Sequence, residues 1–308
     1  MNKKWMKTLG TAAIATALVL AGCSSNGNEG ANAGGEASGS GGSGSIGAAV
    51  GHKIIGIDPG AGLMAAADRA VTDYGLTDWT LVEGSSAAMA VALDKAVKNE
   101  DPIIVTGWTP HWMFAKYDLK YLDDPKKSFG EDEEIRTVAR LGLKEDAPSA
   151  YAFLDRFEWT DADMAKVMAA VQEGAEPADA AAAWAEDNAA MIDGWVDGIE
   201  PGAGETIKLA YVAWDSEIAS TNVVGWVLEH RLGYKTELMQ VEAGPMWAGV
   251  AGGDADAMVA AWLPITHKDY AEQYEGKYED LGANLKGTKL GLVVPSYMDV
   301  SSIEDLAG

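Results

Sequence analysis

Short apolar runs alternate with amphipathic stretches, and the order in which they do so outlines the chain. Ile54-Ile-Gly-Ile57 predicts a strand, Asp58-Pro-Gly-Ala-Gly62 a turn, and Leu63 to about Asp73 a helix. Trp79 to Val82 and Ile103 to Val105 predict two more strands. They flank an Ala-rich helix that Ser85 or Ser86 would cap and that ends near Lys98. The plan recurs further on, with strands predicted at 207–213, 236–241 and 257–261 and helices at 220–230 and 245–251. In both copies the third strand leads into Trp-x-Pro, at Trp108-Thr-Pro110 and Trp262-Leu-Pro264. Proline cannot continue a ladder, so each Trp is expected where a strand stops. The carboxyl ends of strands are where open α/β sheets hold ligands. Trp214, which closes the apolar run from Leu209, has the same kind of address.

Between the copies the pattern predicts helices at 132–143, 149–157, 161–172 and 177–195, the third opened by Thr160 as cap with Asp161 and Asp163 in its first turn. A last strand is expected at 290–294 and a short helix at 302–306. The fold class is therefore α/β with two lobes, each a mostly parallel sheet flanked by helices. The expected division is 51–205 for the first lobe with its helical connector and 206–308 for the second, whose C-terminal strand returns to the hinge.

The first 50 residues follow another logic. Lys3, Lys4 and Lys7 precede an apolar core from about Leu9 to Leu20, the layout of a secretory signal over 1–22 and too short to span a bilayer. It ends in Leu20-Ala-Gly-Cys23, which resembles the lipobox of bacterial lipoproteins, and Cys23 is the single cysteine of the chain. Lipid on that thiol is the expected membrane attachment. Residues 23–50, rich in Gly, Ser, Ala and Asn, read as the lipidated Cys followed by a flexible tether. One cysteine excludes an intrachain disulfide and a Cys-based zinc site. A formal net charge of −24, from 47 acidic and 23 basic side chains, excludes a nucleic-acid partner, which needs a basic face.

Enzyme chemistry finds little support. Asp58-Pro-Gly-Ala-Gly62-Leu63 lacks the third glycine of a dinucleotide fingerprint and the Gly-Lys-Ser/Thr of a P-loop, so no nucleotide cofactor is expected. It is either a plain tight turn or a helix start whose free N–H groups face an anion. No Gly-x-Ser-x-Gly elbow occurs, and the four His residues show no metal-ligand spacing, so neither a catalytic residue nor a metal is expected. Carboxylate pairs are too common in so acidic a chain to point anywhere. The eleven Trp against four Phe do point somewhere, because a core filler needs no N–H. Trp79, Trp159, Trp184, Trp195 and Trp226 are expected in packing roles, Trp112 and Trp247 in either role. Trp108, Trp214 and Trp262, at strand ends facing one cleft, make a box whose faces suit a quaternary ammonium. His267, on the loop after Trp262, is placed to donate to an anion, and His111 has a similar claim from the other copy. A zwitterion with a methylated ammonium and a carboxylate would meet both poles.

Four stretches carry a family resemblance: Ile55-Gly-Ile-Asp-Pro-Gly60, Thr106-Gly-Trp-Thr-Pro-His-Trp-Met-Phe114, Tyr211-Val-Ala-Trp-Asp-Ser-Glu-Ile-Ala-Ser-Thr221 and Gln240-Val-Glu-Ala-Gly-Pro-Met-Trp247. Through them the sequence resembles the glycine betaine-binding lipoproteins of OpuA-type osmoprotectant ABC importers, from its signal segment to Gly308. The resemblance implies a class II, periplasmic-binding-protein-like fold whose lobes close around a central cleft. It implies that Trp108, Trp214 and Trp262 surround the trimethylammonium, and that the backbone N–H groups of Gly62 and Leu63, with His267, hold the carboxylate. It further implies a monomeric, lipid-anchored extracellular receptor for glycine betaine and proline betaine that serves an OpuA-type permease. The alternatives are a receptor for choline or carnitine and an extracellular enzyme acting on betaine or choline esters.

Overall fold

The computed structural model describes residues 45–307, so the expected signal segment and Cys23 lie outside the described residues. The tether expected to run to residue 50 meets packed structure five residues earlier. Helix α1 (Ile46–Ala49) is a single turn whose cap, Ser45, accepts from the Ala48 amide at 3.3 Å. Gly47 is buried there, and a Cβ on it would stand 2.6 Å from the His52 ring.

Strand β1 (Lys53–Ile55) pairs in parallel with β2 (Thr80–Val82) and with β3 (Val105–Thr109). Helices α2 (Gly62–Asp73) and α3 (Ser86–Asn99) connect them. Ser85 caps α3, its side chain accepting from the Ala88 amide at 3.2 Å. After β3 come the turn α4 (Met113–Lys116) and the short strand β4 (Leu119–Tyr121).

The next segment departs from expectation. Residues 133–140 form a strand, β5 (Glu133–Arg140), where a helix was predicted over 132–143. Burial alternates along its first four residues, and the β-branched Ile135, Thr137 and Val138 are all buried. Those side chains suit a half-buried pleated surface, and two strands are available to pair with them. The helices α5 (Leu143–Asp146), α6 (Pro148–Arg156), α7 (Asp161–Gln172), α8 (Pro177–Asp187) and α9 (Ala189–Val196) follow. The helix expected over 177–195 is thus two, separated at Asn188. Thr160 and Asp163 form a reciprocal capping box at the start of α7.

In the second copy, β6 (Thr206–Tyr211) pairs in parallel with β7 (Lys235–Gln240) and β8 (Ala257–Leu263). The helices are α10 (Asp215–His230) and α11 (Ala243–Gly252). Helix α12 (Lys268–Gln273) leads to the long strand β9 (Tyr278–Pro295), and a 3₁₀ turn over Ile303–Ala307 ends the described chain.

The sheet runs β2-β1-β3-β9-β5-β8-β6-β7, with β4 also on β9. It is mixed. The three strands of each copy are parallel, whereas β9 runs antiparallel to β3, β4 and β5, and β5 antiparallel to β8. Strand β9 thereby belongs to both halves: residues 278–288 pair with β5 and 289–295 with β3 and β4.

The connector expected with the first copy packs on elements of the second. Strand β5 pairs within the second half, and α7 and α8 pack on α10, so the connector belongs with the second half. Helix α10 is the reason: along much of its length it buries more than one face, with Ala219, Ser220, Thr221, Val223, Val224, Val227 and Leu228 all inaccessible, and one sheet cannot cover that surface.

Candidate functional site

Trp108 and Trp262 each occupy the last position but one of a strand, paired with Leu290 and Ile135 respectively, so they lie just inside the strand ends expected to stop at them. Trp214 is the N-cap of α10. The three indoles meet. With Ile57, Ala61, Leu63, Thr266 and Leu290 they line one narrow apolar cavity between the halves. Trp108 comes from the first half, Trp214 and Trp262 from the second. Thr266, Ala61 and Leu290 had not been singled out from the sequence.

Each indole is fixed by its N–H, which leaves the ring faces for the cavity. Trp108 Nε1 donates to Ser216 Oγ at 3.2 Å, Trp214 Nε1 to Asp58 Oδ2 at 3.0 Å, and Trp262 Nε1 to Glu217 Oε1 at 2.5 Å. Ser216 Oγ in turn donates to Glu217 Oε2 at 2.5 Å. Beside the box, Asp215 accepts from Trp112 Nε1 at 2.9 Å and from Ser86 Oγ at 2.7 Å, and His111 Nε2 stands 3.4 Å from it. Burial would raise the Asp215 pKa, but the His111 contact and the Ser86 and Trp112 hydrogen bonds outweigh it and hold it at about 2. His111, a candidate donor to ligand, is therefore turned to Asp215. Trp112 takes the role of a support. These carboxylates sit in the first turn of α10, where the helix dipole favours them. In so acidic a chain their sequence signal was silent.

Two unpartnered amides open α2. Gly62 and Leu63 are its first two residues, and their N–H groups find no acceptor among the described residues, whereas the Met64 and Ala65 amides both reach Ala61 O. His267 is fully buried. Its Nδ1 accepts from the Trp262 amide at 3.1 Å, so the proton sits on Nε2, which has no partner. Burial pushes its pKa down to about 3, and the ring is a neutral donor stacked 5.9 Å from Trp214. The loop carrying it is held by Glu133, whose carboxylate accepts from the amides of Ile265 at 3.2 Å and Thr266 at 2.9 Å and from Thr266 Oγ1 at 2.5 Å. Burial raises the Glu133 pKa and those three donors oppose the rise.

Three of the Trp residues expected in packing roles form their own group. Trp159, Trp184 and Trp195 cluster with Phe153 and Phe157, Trp159 meeting Trp184 edge-on at 5.6 Å and Trp184 stacking on Trp195 at 6.0 Å. Trp247 is buried with its edge 5.9 Å from the His267 ring, and so backs the site without lining it. Among the described residues no group of acidic, His or Cys side chains is arranged to hold a metal ion, and no helix is long and apolar enough to cross a membrane.

The chain is 54% identical over 264 residues to the glycine betaine/carnitine transport binding protein GbuC of Listeria monocytogenes, covering 85% of this chain and 88% of that protein. Among solved structures it is similar to lactococcal OpuAC in its closed conformation with glycine betaine, at 50% identity and a TM-score of 0.46 over 47% of this chain and 58% of that one. It is similar also to a glycine betaine, L-proline-binding protein from Borrelia burgdorferi, at 33% identity and a TM-score of 0.45 over 49% and 58%. Both alignments span less than two thirds of the solved chain. The model of the substrate binding domain of ABC-type glycine betaine transport systems matches residues 38–187 and 205–308, and the chain belongs to that family.

Proposed function

We propose that the chain is a lipid-anchored receptor on the outer face of the cell membrane that captures glycine betaine for an OpuA-type ABC importer. The observation that carries this reading is the meeting of Trp108, Trp214 and Trp262 on one apolar cavity, with Leu63 of the α2 start on its wall. A trimethylammonium group donates no hydrogen bond but is attracted to ring quadrupoles. Three desolvated contacts at about 2 kcal/mol each give roughly 6 kcal/mol, short of the roughly 8 needed for micromolar affinity. The carboxylate supplies the remainder by accepting from the Gly62 and Leu63 amides and from His267 Nε2. A neutral His267 suits this work, because it donates without leaving a buried charge when the site is empty.

Binding and closure are coupled through hydrogen bonds that cross between the halves. Trp108 and Trp112 reach Ser216 and Asp215, Ser86 reaches Asp215, and Trp214 reaches Asp58. Separating the halves would break all of them, so a ligand that touches both halves favours the closed state. Lipid on Cys23 would tether this monomeric receptor to the membrane. It would release its ligand unchanged to the permease, with no turnover.

Titration of the intrinsic Trp fluorescence with glycine betaine tests the reading, and an absence of response at millimolar ligand overturns it. NMR of the ligand after long incubation separates a receptor from an esterase. Proline betaine and carnitine are the next ligands to test, carnitine because the Listeria relative carries it in its name. Choline, which has no carboxylate for the α2 amides, is expected to bind more weakly.

A further inference from the structure

Two of the box indoles, one from each half, end on a single carboxylate. Glu217 is 1% exposed. One of its oxygens accepts from Trp262, and the other accepts from Ser216, which itself accepts from Trp108. The partners of these bonds favour the charged form, and burial opposes it. Trp262 Nε1 is only a donor. Ser216 Oγ accepts from Trp108 and donates to Glu217. Both carboxyl oxygens thus accept hydrogen bonds that stabilise the anion. No Lys or Arg is paired with it among the described residues, and the neighbouring Asp215 is negative. Burying an unpaired anion is costly.

We infer that Glu217 is a positioning and specificity-determining residue of the aromatic box. It fixes Trp262 directly and Trp108 through Ser216, and the negative charge it takes on beside a bound cation selects a cation over a neutral group of equal shape. A carboxylate at an indole N–H pushes electron density toward the ring, which deepens the quadrupole that a cation senses. Asp58 stands in the same relation to Trp214. The inference rests on the reading of the cavity as a betaine site.

The test uses the full chain and two ligands: glycine betaine, and 3,3-dimethylbutanoate, which replaces the ammonium nitrogen by carbon and keeps the carboxylate. Wild type that fails to bind glycine betaine refutes the underlying reading. Given binding, Glu217→Gln is expected to weaken glycine betaine about tenfold, the scale of one strong cation–π contact, and 3,3-dimethylbutanoate much less. Equal losses for both ligands would reduce Glu217 to a structural role, and no loss for either would remove it from the site; both outcomes overturn the inference. Should Glu217→Gln fail to fold, Ser216→Ala cuts the link to Trp108 and leaves the charge. It is expected to weaken both ligands several-fold while keeping their ratio, and unchanged affinity would refute the relay.

Discussion

Gly62 lies against the carbonyl of Thr266 across the cleft, so closely that a Cβ on Gly62 would stand 1.9 Å from that oxygen. Its φ is not in the left-handed region, and the glycine is required by this approach alone. Gly62→Ala should therefore penalise only the closed form. Overpacking of this kind costs about 1–3 kcal/mol, so affinity for glycine betaine is expected to fall by roughly ten- to hundredfold. The melting temperature of ligand-free protein should stay within a degree or two of wild type if the empty halves part. A large loss of ligand-free stability would show that the contact persists without ligand.

Removal of a box ring and removal of a packing ring should separate cleanly. Trp262→Ala is expected to cost at least about tenfold in affinity. Trp184→Ala should cost about 3–5 kcal/mol of stability and leave the affinity of the folded fraction alone, since Trp184 is buried against Trp159 and Trp195. Chemical denaturation and calorimetric titration of both variants decide the matter. Equal affinity losses would erase the distinction.

Glu133 holds the Ile265–Thr266 segment through three hydrogen bonds. Glu133→Ala leaves two amides and a hydroxyl without their acceptor in a largely buried place, at about 1–3 kcal/mol for each unsatisfied group. Thr266 lines the cavity and His267 follows it, so affinity should fall together with stability. Faster hydrogen exchange at the Ile265 and Thr266 amides is the direct readout. Unchanged exchange there would show that the loop holds itself.

Two carboxylates in the first turn of α10 give opposite pH signatures. Asp215 is held at about 2, below its ordinary value. Its contribution to stability is present above about pH 4 and is lost as pH falls toward 2. Glu217 is pushed up to about 7 by burial, against the Ser216 and Trp262 hydrogen bonds that favour its anion. Its folded form thus holds a proton that the unfolded chain has released, so its contribution declines as pH rises from about 4.5 through 7. A bound cation favours the Glu217 anion, so binding should release protons and affinity should rise between about pH 5 and 7. The titratable groups facing it are Asp215 on the same helix, His111, which approaches Asp215 from the first half, and His267 after β8. Asp215 and His267 titrate below this window, at about 2 and 3, and Glu217→Gln isolates the remainder. A rise in affinity that persists in Glu217→Gln would show that Glu217 is not its source.

The parts of this structure legible in the sequence are those whose cause is local. Ser85 and Thr160 announce their helices because capping acts within three residues. The Trp-x-Pro repeat placed two box indoles within one residue of their observed strand positions. Strand β5 was not legible, since half of its residues are charged and Glu133 is buried for the sake of a loop more than 130 positions away. The α10 start at Asp215, five residues earlier than expected, answers to Ser86, Trp108 and Trp112 in the other half. Nothing in the local pattern distinguishes those acidic residues from the many that only face solvent.

Strand β9 carries one more consequence. The first half is assembled from residues near the beginning of the described chain, yet the antiparallel partner of β3 and β4 is residues 289–295. During synthesis and export, β1, β2 and β3 must wait with an open edge until almost the whole polypeptide has emerged, whereas the second half already holds most of its own ladder. The half made first is the half completed last, and a nascent chain stalled before residue 289 would present the open edge of β3 to chaperones and proteases.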